Sequence, residues 1–97
     1  MQTYIILMKW TQAGIEKIKE LPQRVESARN AFKSVGGELK AFYMTFGRYD
    51  TIAVVEAPSD EAMGKALLIV GSGGAVSMET LKAFPEAEGY EIIKGLP

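Results

Sequence analysis

Apolar residues fall into short blocks along the chain, and the spacing within each block predicts the element it forms. Thr3–Trp10 is rich in aromatic and branched residues and carries no Gly or Pro, which predicts a strand. Along it Tyr4, Ile6, Met8 and Trp10 point one way, and Ile5 and Leu7, with Thr3 and Lys9, the other. Ile15, Ile18, Leu21, Val25, Ala28, Phe32 and Val35 then recur at spacings of three or four, as one face of a helix does. Pro22 inside that pattern removes a backbone donor and predicts a kink or short break between a first turn and a main helix. Thr11 is placed to cap the start, and Gly36-Gly37 to end it.

The second half repeats the scheme. Glu38–Thr45 alternates, with Leu39, Ala41, Tyr43 and Thr45 on one face and Lys40, Phe42 and Met44 on the other. Thr51–Ala57 follows, with Ile52 and Val54 opposed to Ala53 and Val55. So short a connection predicts an antiparallel hairpin. Gly47-Arg48 suits a two-residue type II′ turn, and a longer loop taking in Tyr49 and Asp50 is the alternative. Pro58-Ser59-Asp60-Glu61 is a helix start, because Ser59 can accept from free amides and the two acids meet the positive end of the dipole. Ala62, Met63, Ala66, Leu67 and Val70 form its buried face, and Gly71-Ser72-Gly73-Gly74 ends it. Ala75–Phe84 is a last strand, with Val76, Met78 and Thr80 on one side and Leu81 on the other; Pro85 stops it. Glu86–Lys94 predicts a short C-terminal helix, apolar at Tyr90, Ile92 and Ile93 and weakened by Gly89.

Strand, helix, strand, strand, helix, strand is the order of an α+β, ferredoxin-like βαββαβ domain over residues 1–97. Right-handed crossovers put both helices on one face of a four-stranded antiparallel sheet. The other face is bare, yet its alternate residues are apolar too. Burying about four such side chains at roughly 1.5–3 kcal/mol each is a strong drive. A second copy, sheet to sheet about a two-fold axis, is the simplest cover, so a homodimer with a barrel-like interior is expected.

Composition narrows the chemistry. With 97 residues the chain has room for one core, and chains this short often need a metal, disulfides or a partner. It has no Cys and no His, which removes disulfides, thiolate nucleophiles, imidazole bases and every Zn, haem or copper site built on those residues. A partner chain is what remains, and no cofactor or metal is expected. The net charge of −1 and the lack of any basic run argue against a nucleic-acid surface. The apolar run Tyr4-Ile5-Ile6-Leu7-Met8 is too short to cross a membrane and lacks the features of a secretory signal, so a cytoplasmic protein is expected.

The pieces Lys9-Trp10-Thr11-x-x-Gly14, Arg24, Gly36-Gly37, Tyr43-Met44-Thr45-Phe46-Gly47-Arg48-Tyr49-Asp50 and Thr80-Leu81-Lys82-Ala83-Phe84 together make the chain resemble the GYD-domain family. The resemblance runs over nearly the whole length. Here Arg48 stands between Gly47 and Tyr49, so the Gly-Tyr-Asp motif is spaced. The resemblance implies a ferredoxin-like domain related to the dimeric α+β barrels and no established activity. Related barrels include ligand binders, cofactor-free oxygenases and haem-dependent enzymes; the last rely on an axial His that this chain lacks.

Four residues are candidates for ligand binding. Tyr49 beside Asp50 sets a phenol against a carboxylate, able to orient a polar ligand or move a proton; the plainer role is packing for Tyr49 and hydrogen bonds from turn amides for Asp50. Trp10, at a strand end, offers a flat apolar wall and one donor at a cavity mouth, or else packs in the core or interface. Arg24 can hold a carboxylate bidentately, or pair with Glu20 four residues back. Phe42, Tyr43, Met44 and Met78 suit core or dimer packing. Gly71-Ser72-Gly73-Gly74 is not a phosphate loop, since it follows a helix and leads into a strand. Three functions fit. The first is a small homo-oligomeric protein binding an apolar or aromatic molecule between sheet and helices or inside the barrel. The second is a cofactor-free enzyme, oxygenase- or isomerase-like, using Tyr49 and Asp50. The third is an interaction module. The first asks for no catalytic group the chain fails to show.

Overall fold

A central strand, β1 (Gln2–Trp10), organises the computed structural model, which describes Met1–Pro97. It is flanked on one side by β3 (Thr51–Ala57) and on the other by β4 (Val76–Ala83), both antiparallel to it. An outer strand, β2 (Glu38–Met44), pairs antiparallel with β3, so the four-stranded order is β2-β3-β1-β4. Two crossover helices, α2 (Leu21–Ser34) and α3 (Asp60–Ser72), pack on one face. The fold is the ferredoxin-like α+β arrangement expected from the order of elements. No helix is long and apolar enough to cross a membrane.

The inner face of the sheet carries the alternation read from β1. Tyr4, Ile6 and Met8 are buried with Ala53, Val55 and Ala57 of β3, and against them pack Phe32 of α2 and Met63 and Ala66 of α3. Both predicted caps form: Thr11 accepts from the Gly14 amide at the start of a short helix, α1 (Gln12–Glu16), and Ser59 accepts from the Ala62 amide. Pro22 does not kink a continuous helix. A 3-10 turn, Ile18–Glu20, separates α1 from α2, and Pro22 sits in the first turn of α2, where a missing N–H costs nothing. Gly36, at φ 83°, ends α2.

Two local expectations change. A bulge between Leu39 and Ala41 shifts the register of β2 on β3, so Leu39 and Phe42 share the inner face while Ala41 and Tyr43 share the outer one. The β2–β3 connection is the longer alternative, Thr45–Asp50, not a two-residue turn. It is closed by the Thr45 amide donating to the Asp50 carbonyl at 2.9 Å, with the Thr45 hydroxyl on the Tyr49 carbonyl at 2.6 Å. Phe46 at its tip is fully exposed.

On the outer face, Ile5 and Leu7 of β1 and Ile52 and Val54 of β3 form a half-buried apolar strip, flanked by exposed Tyr43 and Leu81. The C-terminal helix, α4 (Glu86–Lys94), buries no residue and leaves Tyr90, Ile92 and Ile93 more than half exposed. It lengthens the molecule: the radius of gyration is 14.5 Å, against about 13 Å for a compact domain of this size.

A half-buried polar contact ties sheet to helix. The Tyr4 hydroxyl donates to Asp60 at the start of α3, and Lys82 Nζ of β4 reaches the same carboxylate at 3.1 Å. Burial first, and then the bond to Asp60, push the Tyr4 hydroxyl up from 10.0 to about 12. The same bond, and then Lys82, hold Asp60 below the usual carboxylate range. A raised pKa means the folded state holds this proton more tightly. The stability it contributes is complete below pH 10.0 and is lost as pH rises toward about 12. In chemical denaturation across that window the wild type is expected to lose stability that Tyr4→Phe has no hydroxyl to lose. Parallel pH profiles for the two proteins contradict this.

Candidate functional site

Between the inner face of the sheet and the helices lies a cavity of about 320 Å³. Its floor is Ile6, Met8 and Trp10 of β1, Val76 and Met78 of β4, and Thr51 and Ala53 of β3. Leu21, Arg24, Val25, Ala28 and Ala31 of α2 form the roof, and Phe42 of β2 and Val70 of α3 close the sides. The space exists because α2 presents Ala28 and Ala31 toward the sheet, where Leu or Phe would fill it. Of the 20 lining residues 16 are hydrophobic, and its volume falls at the low end of sites that hold small molecules, about 300–1,000 Å³.

Trp10 reaches the cavity because it is the last residue of β1, on the inner face with Tyr4, Ile6 and Met8. Its backbone is fixed from two sides. Trp10 pairs with Val76 of β4, and its amide donates to Asp50 Oδ2 at 2.8 Å. Arg24 enters from the first turns of α2. Its Nη2 donates to the carbonyls of Gly14 and Lys17, both at 3.0 Å, so the guanidinium closes the end of α1 and holds its own plane. Two side-chain atoms in the whole molecule are buried without a hydrogen-bond partner: Trp10 Nε1 and Arg24 Nε. Both are donors on residues that line this cavity, but both atoms are shut off from its open space by neighbouring protein atoms. A buried donor left unmatched costs about 1–3 kcal/mol, so such pairs are uncommon.

The other two sequence candidates lie elsewhere. Asp50 does not line this cavity; its carboxylate serves the Trp10 amide, while its own amide donates to the Met8 carbonyl at 2.8 Å. It accepts from a backbone amide at the end of β1, not from the turn amides expected of it. Tyr49 lies on the outer face. Its hydroxyl donates to Glu79, and the Lys9 ammonium stands 5.7 Å from its ring centroid. The bond to Glu79, then partial burial, raise the Tyr49 pKa. These three residues, with Leu7 and Ser77, line a shallow hollow of about 190 Å³. Thus Trp10 and Arg24 line one cavity, and Tyr49 and Asp50 do not join them. Arg24 does not pair with Glu20, because Glu20 lies in the 3-10 turn before α2 and not one helical turn back along it. Phe42 and Met78 belong to the cavity, whereas their sequence companions Tyr43 and Met44 are exposed.

The β1 end, where Trp10 meets Asp50 and Thr11 and Gly14 lie against Gly74 and Ala75, is built largely from the residues that carried the family resemblance. The family model for the GYD domain matches residues 4–93. The chain belongs to the GYD-domain family. This GYD domain is 33% identical over 89 residues to a Thermus thermophilus protein named "Glutamine synthetase and cystathionine beta-lyase binding protein", covering 91% of the chain and 94% of that relative. Among solved structures it is similar to MtbAldR, with a TM-score of 0.68 at 16% identity, covering 88% of this chain. It spans about half of MtbAldR, 52% of that chain. It is also similar to the hypothetical protein PHS023 from Pyrococcus horikoshii, with a TM-score of 0.56 at 20% identity, covering 89% and 93% of the two chains. At these identities the likeness is one of fold. The GYD domain therefore shares its architecture with proteins of very different sequence, and its site is read from its own residues.

Proposed function

We propose that this GYD domain is a homodimeric binding protein that takes a small, largely apolar molecule into the cavity between its sheet and its helices. The observation that carries the reading is the cavity itself, about 320 Å³ between sheet and helices with 16 of its 20 lining residues hydrophobic. A catalytic reading has less support. Asp50 is engaged with the Trp10 amide, and Tyr49 sits on the other side of the sheet, so the phenol–carboxylate pair is not assembled on one wall.

The dimer part rests on the outer face. Ile5, Leu7, Ile52 and Val54 make a contiguous apolar strip with a polar rim at Lys9, Glu56 and Glu79, the pattern of a surface meant to be covered. A second copy brings an identical strip and closes the barrel. That a 33%-identical relative is named for binding two enzymes supports binding over catalysis, and supports protein contact as one use of this family's surface.

Native mass spectrometry of freshly purified protein tests both parts together. A species of twice the 10.6 kDa chain mass is expected, with added mass when small apolar molecules are present. Ile52→Lys, which places an ammonium in the middle of the strip, is expected to give a folded monomer. A single-chain species for the wild type at micromolar concentration overturns the dimer. Failure of any small apolar molecule to add mass overturns the cavity as a binding site.

A further inference from the structure

We infer that the C-terminal helix α4 is an arm that docks on a second copy of this chain, its apolar face against the β2–β3 corner of that copy, where Tyr43, Met44 and Phe46 stand. This rests on the dimer part of the reading above and adds where the arm goes.

α4 is amphipathic and has nothing of its own to pack on. Tyr90 and Ile93, three residues apart, share a face with Ile92 beside them. Glu88, Glu91 and Lys94 fall on the other side, where Lys94 Nζ pairs with Glu91 at 3.1 Å. The apolar face covers nothing: no residue of α4 is buried, and Tyr90, Ile92 and Ile93 are 56%, 52% and 60% exposed. Phe84 before the helix and Leu96 after it are exposed as well. A helix of nine residues is too short to hold itself in water, where isolated helices need about 12–15. The cover that holds it therefore lies outside its own chain.

Two observations make that cover a second copy. The first is a matching patch that one chain cannot reach. Tyr43 and Met44 at the end of β2 are 58% and 69% exposed, and Phe46 just beyond them is fully exposed. β2 and β4 are opposite edges of the sheet. Along the strands, Met44 is level with Thr51, Met8 and Met78, near the start of β4. Ala83, at the end of β4, is level with Thr3, Glu56 and Glu38, where β2 starts. The two patches thus sit at diagonally opposite corners. A two-fold axis along the other diagonal, between two facing sheets, lays the α4 corner of each copy on the β2 corner of the other. It also keeps the central strip of Ile5, Leu7, Ile52 and Val54 on its own image. The strands of the two sheets then cross at close to a right angle, one of the two packings that sheets favour. The second observation is size. The strip offers four half-buried side chains, whereas a stable interface engages about 20–30 residues a side. The arm and its docking corner, each used twice, supply the large apolar side chains that the strip lacks.

The chain has no Cys, so Glu88→Cys on the polar face of α4 takes a nitroxide spin label at that position alone. Spin-labelled chains without isotope are refolded together with ¹⁵N-labelled wild type, so that broadening of an amide comes from the other chain. The amides of Met44, Thr45 and Phe46 are expected to lose the most intensity and to regain it when ascorbate reduces the label. Phe46 is fully exposed in the single chain, so Phe46→Asp leaves the fold intact; it is expected to raise the dimer dissociation constant at least about 10-fold in sedimentation equilibrium. Strongest broadening at another surface, such as Leu68 and Ile69 of α3, overturns the docking of the arm while leaving the dimer. So does an unchanged dissociation constant in Phe46→Asp, or the absence of broadening in a protein of twice the chain mass. A wild type that stays a single chain overturns the arm and the dimer reading together.

Discussion

Gly14→Ala is expected to destabilise this GYD domain by about 3 kcal/mol, which for a chain of this length lowers Tm by roughly 10–20 °C. A Cβ at this position would stand 2.1 Å from the Ala75 carbonyl oxygen and 3.2 Å from Arg24 Nη1. The carbonyl cannot step aside, because it accepts from the Thr11 amide at 3.0 Å, and the Thr11 hydroxyl grips the neighbouring Gly74 carbonyl at 2.6 Å. Relief has to come from moving α1 off the linker that leads into β4, which also unseats the Arg24 fork from the Gly14 carbonyl. Gly64, inside α3 with nothing within 4 Å of its Cβ position, is the control. There alanine is expected to stabilise by up to about 1 kcal/mol, through helix propensity alone. Thermal unfolding of the two variants beside the wild type checks the contrast. Equal and small shifts at Gly14 and Gly64 contradict the account of the α1–β4 junction.

Asp50→Ala is expected to cost about 1–3 kcal/mol and to weaken binding in the cavity, although Asp50 does not line it. The β1–β3 ladder ends at Met8 opposite Thr51, so the Trp10 amide has no backbone acceptor on β3. The Asp50 carboxylate takes that amide at 2.8 Å and carries the pairing to the end of the strand. Without it the amide is unmatched, and the residue that presents the indole is held by β4 alone. Asp50→Asn keeps an oxygen acceptor in place and is expected to retain most of both stability and affinity. Denaturant titration gives the stability, and a titration with 4-phenyl-1-butanol read by Trp10 fluorescence gives the affinity. Loss of affinity in Asp50→Asn as large as in Asp50→Ala, at unchanged stability, contradicts a purely supporting role and returns Asp50 to the site.

The sequence carried the framework well where a signal was local. Tyr4, Ile6 and Met8 alternate on β1, Thr11 and Ser59 cap their helices, and Gly36 ends α2, each for a reason contained within a few neighbouring residues. The bulge at Lys40 was not legible. Both faces of β2 are apolar enough that a one-residue slip changes little in the pattern, and only pairing with β3 decides it. The site divided along the same line. Trp10 and Arg24 stood out as single residues, but their sharing one cavity depends on Arg24 turning from Glu20 to the carbonyls of α1, a consequence of where α2 begins. Asp50 was legible as an acceptor, yet its partner lies 40 residues away in sequence. The cavity was least legible, because it is made by small residues, Ala28 and Ala31, and the helical periodicity registers them as ordinary members of α2.

A cavity open to small molecules leaves a signature at Trp10, which lines it. The indole N–H of Trp10 gives one resonance in a ¹H–¹⁵N spectrum of the uniformly labelled protein, from a group buried at the cavity wall. With 4-phenylbutyrate or 4-phenyl-1-butanol added, that resonance is expected to move and saturate together with the amides of Met8, Phe42 and Met78. An indole resonance that stays fixed, while any changes that occur scatter over the outer face around Tyr49 and Ile52, contradicts an open cavity.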